Sequence, residues 1–121
     1  MNLTPQQRYD YFIRQVADFE EVWTIAVDDG YIMFKDNEGD EIFPVWPHKE
    51  LAELCCFEEH KAMGAFPESI EFGTFVNECI PDMIKGKVYF GVFYDKKRIG
   101  MAIDGNQLKE DLESEYDEIN G

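Results

Sequence analysis

The chain has 121 residues, with 11 basic against 26 acidic side chains and a formal net charge of −15. This length suits one domain, residues 1–121, and the 45% hydrophobic content argues against intrinsic disorder. So acidic a surface excludes nucleic acid and anionic membranes as expected partners, because both are bound through clustered lysine and arginine. It favours a basic protein or a cation, although solubility alone would also account for the charge.

The sequence predicts a cytoplasmic protein. It has no run of about 18 apolar residues that could span a membrane. Its first residues, MNLTPQQRYDYF, do not have the basic and apolar regions of a signal peptide. Three cysteines, of which Cys55 and Cys56 are adjacent and Cys79 is distant, make a poor disulfide framework and suit a reducing compartment.

The first predicted helix begins after Thr4, which can form a capping box with Gln7, and Pro5 suits the first helical position. The helix is expected to end near Asp18. Its apolar residues recur on one face, and Arg8 is expected to lie elsewhere on the helix.

Three strands are predicted next, because β-branched and aromatic runs alternate with turn residues. We expect them to form an antiparallel meander. Pro44 lacks a backbone N–H, so the third strand should be an edge strand or end early. The predicted strands cover residues 22–27, 31–35 and 41–45, with turns at 28–30 and 37–40.

A short helix is predicted over residues 48–56 with Leu51, Leu54 and Cys55 facing inward, followed by a loop with a helical tail over 58–67. The apolar spacing from Phe72 onward then predicts another helix. Pro81 should kink or restart this helix, and Gly86 should end it.

Two further strands are predicted at 87–94 and 99–103, followed by a last helix capped by Asp104. Gly91 and Gly100 would let another element approach the sheet closely. The order α-βββ-α(α)-ββ-α indicates an α+β domain, with an antiparallel sheet of about five strands and helices packed on it.

No metal site or cofactor is expected. Cys56 and His60 have a spacing that could place them on one helical face, with Cys55 and His48 nearby. A zinc site needs a second such pair, or a third ligand and water. Cys79 is the remaining cysteine and fits an apolar stripe, so buried structural thiols are the expected alternative.

No enzyme activity and no catalytic residue are predicted. Ser69 and Ser114 are the only serines, and neither lies in a nucleophile elbow. The glycine-rich patterns that bind phosphate are missing from the sequence. A cysteine–histidine nucleophile remains open, because the fold would have to bring the two side chains together.

Acidic residues are the best candidates for a binding surface. Either they are ordinary solvated side chains, or they form a face that binds a basic protein. Five of the eleven bases (Lys85, Lys87, Lys96, Lys97 and Arg98) could bind an anion, although most belong to a predicted hairpin. The candidate partner-binding residues are Asp36, Glu38, Asp40 and Glu41 in a turn, and Glu110, Glu113 and Asp117 on the last helix.

A series of motifs resembles a small bacterial family, the domain of unknown function numbered two thousand seven hundred and fifty. It comprises Val22-Trp23, Asp29-Gly30-Tyr31 and the run 43–48, which ends in the specific corner Trp46-Pro47-His48. The resemblance covers nearly the whole chain. It implies a stand-alone cytosolic bacterial domain and transfers no catalytic residue, because the family has no assigned activity.

Two functions remain as hypotheses. The first is a non-enzymatic acidic protein of the immunity or antitoxin type, which neutralises a basic bacterial effector by charge complementarity. The alternative is a regulatory or small-molecule-binding domain with an aromatic groove lined by Trp23, Tyr31, Trp46 and His48. The same corner could instead be only a structural turn, with the Trp46 indole bonded to a carbonyl. The sequence also leaves open whether the protein forms a homodimer.

Overall fold

The computed structural model describes residues 3–28 and 30–120. Asp29, in a predicted turn, lies outside the described residues. None of the described helices is both long enough and apolar enough to cross a membrane. The helices are α1 (Pro5–Phe19), α2 (Lys49–Leu54), α3 (Glu58–Ala62), α4 (Phe72–Thr74), α5 (Ile80–Lys85) and α6 (Gly105–Asn120). The strands are β1 (Glu21–Val27), β2 (Gly30–Tyr31), β3 (Phe34–Lys35), β4 (Glu41–Val45), β5 (Phe66–Glu71), β6 (Tyr89–Val92) and β7 (Met101–Ile103).

Helix α1 forms as its capping residues predict. The Thr4 hydroxyl accepts a hydrogen bond from the Gln7 backbone N–H, and the Gln7 side chain accepts one from the Thr4 N–H. The helix ends at Glu20, whose left-handed conformation (φ 59°) turns the chain into β1. Phe12 and Val16 on its inner face have no exposed surface.

The α+β class is confirmed, but the strands form two sheets instead of one. One sheet has the order β2-β1-β5 and the other β3-β4-β6-β7. The predicted meander divides between Tyr31 and Phe34, so β2 pairs with β1 while β3 pairs with β4. A pair of backbone hydrogen bonds between Trp23 and Trp46, of 2.9 and 2.8 Å, joins the two sheets.

Strand β4 lies inside the four-stranded sheet and pairs in parallel with β6, so the prediction of an entirely antiparallel sheet is wrong. Pro44 is nonetheless tolerated, because β3 pairs only with Glu41 and Ile42, so that on this side Pro44 has no partner in the β-ladder. The Pro44 carbonyl instead accepts a hydrogen bond from the buried Thr24 hydroxyl at 2.8 Å.

The segment 58–67, predicted as a loop with a helical tail, instead begins with the helix α3 and ends in the first residues of β5, so the predicted loop was wrong. β5 pairs with β1 along its whole length. Only Ile70 of its six residues is buried, so the strand has no alternating apolar signal.

The helix predicted from Phe72 forms and ends at Gly86. A π-helical turn (Phe75–Cys79) lies between α4 and α5, and the Ile80 N–H donates to the Phe75 carbonyl. Pro81 at the start of α5 lacks an N–H and cannot continue a regular α-helical ladder, which explains why the irregular turn precedes it.

Helix α6 packs against α1 and α5. Its start is capped by the Asp104 carboxylate, which accepts from the Gln107 N–H at 3.0 Å. Gly91 and Gly100 were predicted to let another part of the chain approach the sheet closely. In the structure, the Tyr94 ring packs against both glycines. A Cβ on Gly91 would lie 2.7 Å from the Ile42 side chain and 2.9 Å from this ring, and one on Gly100 would collide with the ring.

Candidate functional site

The corner containing Trp46 is part of the scaffold. Trp46 has no exposed surface, and its indole N–H donates to the Tyr94 carbonyl at 2.9 Å. Its backbone joins the two sheets through Trp23. The predicted hydrogen bond from the indole to a carbonyl is therefore confirmed, and Trp46 has no surface with which to line a ligand groove.

The other three residues of the predicted aromatic groove contact different parts of the fold. The partly buried Trp23 donates its indole N–H to the Glu21 carboxylate at 3.2 Å. The Tyr31 ring lies 5.3 Å from Phe43. Neither these residues nor His48 line the clefts described below. The structure thus does not assemble the four side chains into a groove around Trp46.

His48 connects the start of α2 to α1. Its Nε2 lies 3.0 Å from the Gln15 side-chain oxygen and 3.3 Å from the Tyr11 hydroxyl. The exposed Phe19 ring packs edge-on at 5.6 Å. The imidazole contacts α1 and makes no side-chain hydrogen bond that would cap its own helix.

The thiols of Cys55 and Cys56 are buried, that of Cys79 is partly buried, and all three are poorly suited to nucleophilic chemistry. The Cys55 thiol donates to the Tyr94 carbonyl at 3.3 Å, and burial raises its pKa to about 11. Burial also raises the pKa of Cys79, to about 12, and that of Cys56. Among the described residues, no three histidine, cysteine or acidic side chains are grouped closely enough to hold a metal ion.

His60 is enclosed by aromatic rings. It is 8% exposed, stacks on Phe34 at 6.1 Å, and its Nδ1 atom is buried without a hydrogen-bond partner in the described structure. Burial lowers its pKa. The Arg98 guanidinium covers Phe34 and Phe57 at 5.0 and 4.6 Å and contacts Glu59, which fixes the hairpin to α3.

The acidic turn at 36–41 joins β3 to β4 and is exposed. Within it, the Asp36 carboxylate accepts the backbone N–H groups of Glu38 and Asp40, each at 2.9 Å. Asp36 therefore stabilises the turn, whereas Glu38 and Asp40 in the turn and Glu41 at the start of β4 are exposed.

The acidic residues of α6 contribute to a groove that the sequence did not predict. We call this the acidic groove; its volume is about 470 Å³. Its carboxylates come from three regions of the chain: Glu20 after α1, Glu71 before α4, and Glu113 and Asp117 on α6. The Phe72 N–H donates to the Glu20 carbonyl at 2.9 Å, which holds two of these regions together. Glu110 is exposed on α6 but does not line the groove.

An aromatic pair lies among these carboxylates. The rings of Phe72 and Tyr116 stack with centroids 4.8 Å apart, and the Tyr116 hydroxyl donates to Glu20 at 3.3 Å. The pKa of Tyr116 is raised chiefly by the negative charge of Glu20 and, second, by the hydrogen bond to that carboxylate. The charges of Glu71 and Asp117 raise it further. The groove is thus strongly negative, with an aromatic surface.

A second cleft lies between α1, α2 and the hairpin loop (93–100), and we call it the hairpin cleft. It has a volume of about 350 Å³ and is lined by Arg8, by Leu51, Leu54 and Cys55, and by residues 93–97. Two predictions about these residues are wrong: Arg8 is only 8% exposed, and Leu54 is 53% exposed instead of facing the core. Of the predicted basic cluster, only Lys96 and Lys97 line this cleft.

Comparison with known families agrees with these motifs. The model of the family described as "Protein of unknown function (DUF2750)" matches residues 9–112. The chain belongs to this family. The matched range contains the Trp46 corner and the hairpin cleft apart from Arg8. It includes Glu20, Glu71 and the start of α6, but the groove residues Glu113, Tyr116 and Asp117 lie beyond it. No curated protein matches the chain.

Proposed function

We propose that this DUF2750 protein is a non-enzymatic binding protein whose acidic surface engages a basic protein partner. An immunity or antitoxin protein that neutralises a basic bacterial effector fits this proposal. The acidic groove is the main contact region, and the 36–41 turn is a second acidic region. Complementary charge would accelerate encounter and select the partner.

One observation carries the proposal: among the described residues, no candidate carboxylate forms an ion pair with a lysine, arginine or histidine side chain. Within residues 3–28 and 30–120, the acidic members of ion pairs are only Glu53, Glu58 and Glu59, on α2 and α3. The four carboxylates of the acidic groove are therefore not neutralised by intramolecular ion pairs. A lysine or arginine from a partner could supply the missing charge and stack on the partly exposed Tyr116 ring.

The first test is affinity purification of the tagged protein from its own cells at two salt concentrations. The expected result is one stoichiometric basic protein that is retained at about 0.01 M salt and lost at about 1 M. The reason is that the Debye length is about 30 Å at the lower concentration and about 3 Å at the higher one. A captured protein that is acidic, or that is retained equally at both concentrations, would contradict binding by charge complementarity.

The immunity role has a separate test. Cells that lack this protein should become sensitive when the captured basic protein is expressed, and restoring the wild-type chain should protect them. A deletion strain with unchanged growth would reject the immunity role even if the two proteins bind. A toxin gene beside the gene for this chain would support the same role.

A further inference from the structure

The hairpin cleft differs in charge from the rest of the protein. Arg8, Lys96 and Lys97 line it together with a single carboxylate, that of Asp95, although acidic residues outnumber basic ones in the chain by 26 to 11. The Asp95 carboxylate accepts the backbone N–H groups of Lys97 and Ile99 at 2.8 and 3.0 Å. Asp95 thus stabilises the loop, and three basic side chains against this one carboxylate give the lining of the cleft a net positive charge.

Arg8 is the central cation of this cleft. Its guanidinium donates to three backbone carbonyls: Phe93 at 3.0 Å, Leu3 at 2.8 Å and Ile99 at 3.0 Å. No carboxylate of the described residues lies within ion-pair distance of it. A buried charge without a counter-charge is unfavourable, so an anion beside Arg8 would be stabilising. A guanidinium has five N–H groups, which leaves Arg8 able to donate to an anion as well as to the three carbonyls.

The other wall of the cleft is apolar. Leu51 and Leu54 project from α2, and the more exposed Leu54 has over half of its surface open to solvent. Opposite them, Phe93 has a left-handed backbone (φ 53°), which is an outlier for a bulky residue. This conformation occurs where the Phe93 carbonyl meets Arg8 and the ring borders the cleft.

We propose that the hairpin cleft binds a small amphipathic anion, with a carboxylate or phosphate monoester group attached to an apolar body. The anionic group lies against Arg8, Lys96 and Lys97, and the apolar body covers Leu51 and Leu54. The volume of about 350 Å³ lies in the range of about 300–1,000 Å³ for small-molecule sites. This site is independent of the acidic groove, so either proposal can fail without the other.

Titration of the full-length protein with octanoate, followed by backbone amide NMR, tests the proposal. Octanoate should shift the signals of α2 and residues 93–97 in a saturable manner. Acetate, which has the charge without the chain, and 1-octanol, which has the chain without the charge, should each bind at least about tenfold more weakly. Octyl phosphate distinguishes the two anionic groups, because tighter binding than octanoate would assign the site to phosphate monoesters.

Variants locate the site without altering the structural contacts of Arg8. K96Q/K97Q should weaken octanoate binding about threefold to tenfold, whereas K35Q/K85Q removes the same charge outside the cleft and should change it less than about twofold. Leu54→Gln should also weaken binding. The proposal is overturned if neither octanoate nor octyl phosphate binds, if 1-octanol binds as tightly as both, or if the two lysine pairs behave alike.

Discussion

Replacing Trp46 with Phe tests whether the Trp46-Pro47-His48 corner is scaffold. The substitution removes the indole hydrogen bond to the Tyr94 carbonyl, which costs about 1 kcal/mol. That carbonyl keeps the Cys55 thiol as a donor, so it is not left without a partner. The smaller ring also leaves a cavity in a site with 0% exposure, which we expect to cost about 1–2 kcal/mol more.

The expected loss in the free energy of unfolding is therefore about 2–3 kcal/mol, or roughly 8–12 °C in Tm. Trp23→Phe is the matched control, because this partly buried indole donates to a surface carboxylate and should cost about 1 kcal/mol or less. Urea denaturation followed by far-ultraviolet circular dichroism measures both without relying on tryptophan fluorescence. Equal losses for the two variants, or a loss below about 1 kcal/mol for Trp46→Phe, would refute the scaffold role.

Three further predictions concern other buried groups. The pKa of His60 is lower in the folded than in the unfolded protein, so stability should fall as the pH decreases through about 6.5. His60→Gln should reduce this fall, as measured by urea titrations at successive pH values. An unchanged pH profile in the variant would contradict this prediction. Gly100→Ala should destabilise the protein by about 1–3 kcal/mol, because the new Cβ collides with the Tyr94 ring. Gly86→Ala is the control, since its Cβ would make only ordinary contacts and should change stability by less than about 1 kcal/mol. Similar Tm values for the two variants would contradict the close packing at Gly100. The buried Cys55 thiol, whose pKa is raised to about 11, should react with iodoacetamide at neutral pH at least about tenfold more slowly in the folded protein than in urea. Mass spectrometry of the Cys55 peptide measures both rates. Equal rates would show that the thiol is not buried.

Local signals predicted much of the fold. The Thr4 capping box placed the start of α1, runs of β-branched and aromatic residues between turns placed β1 and the Glu41–Val45 strand, and Asp104 marked the start of α6. These features depend on residues close together in the chain. The division into two sheets does not, because it results from the long-range pairing of β1 with β5 and of β4 with β6. β5 was missed because only one of its residues is buried.

The candidate sites were less predictable for the same reason. The sequence identified Glu113 and Asp117 as acidic surface residues, but Glu20 and Glu71 join them only through tertiary contacts. Likewise, Arg8 reaches carbonyls at Phe93 and Ile99 that are distant in sequence. An aromatic-rich segment such as the Trp46 corner has the same composition whether it lines a groove or lies between two sheets.

Capture of the basic partner by two charge-matched variants tests the proposed function most directly. E113Q/D117Q removes two unpaired carboxylates from the acidic groove, whereas E53Q/E58Q removes two that form exposed ion pairs on α2 and α3. Both variants should fold, because exposed ion pairs contribute little to stability and because Glu113 and Asp117 are exposed side chains without an ion pair among the described residues. At low salt, the E53Q/E58Q variant should retain the stoichiometric basic partner and the E113Q/D117Q variant should lose most of it. Equal retention by both variants would show that the acidic groove does not bind the partner.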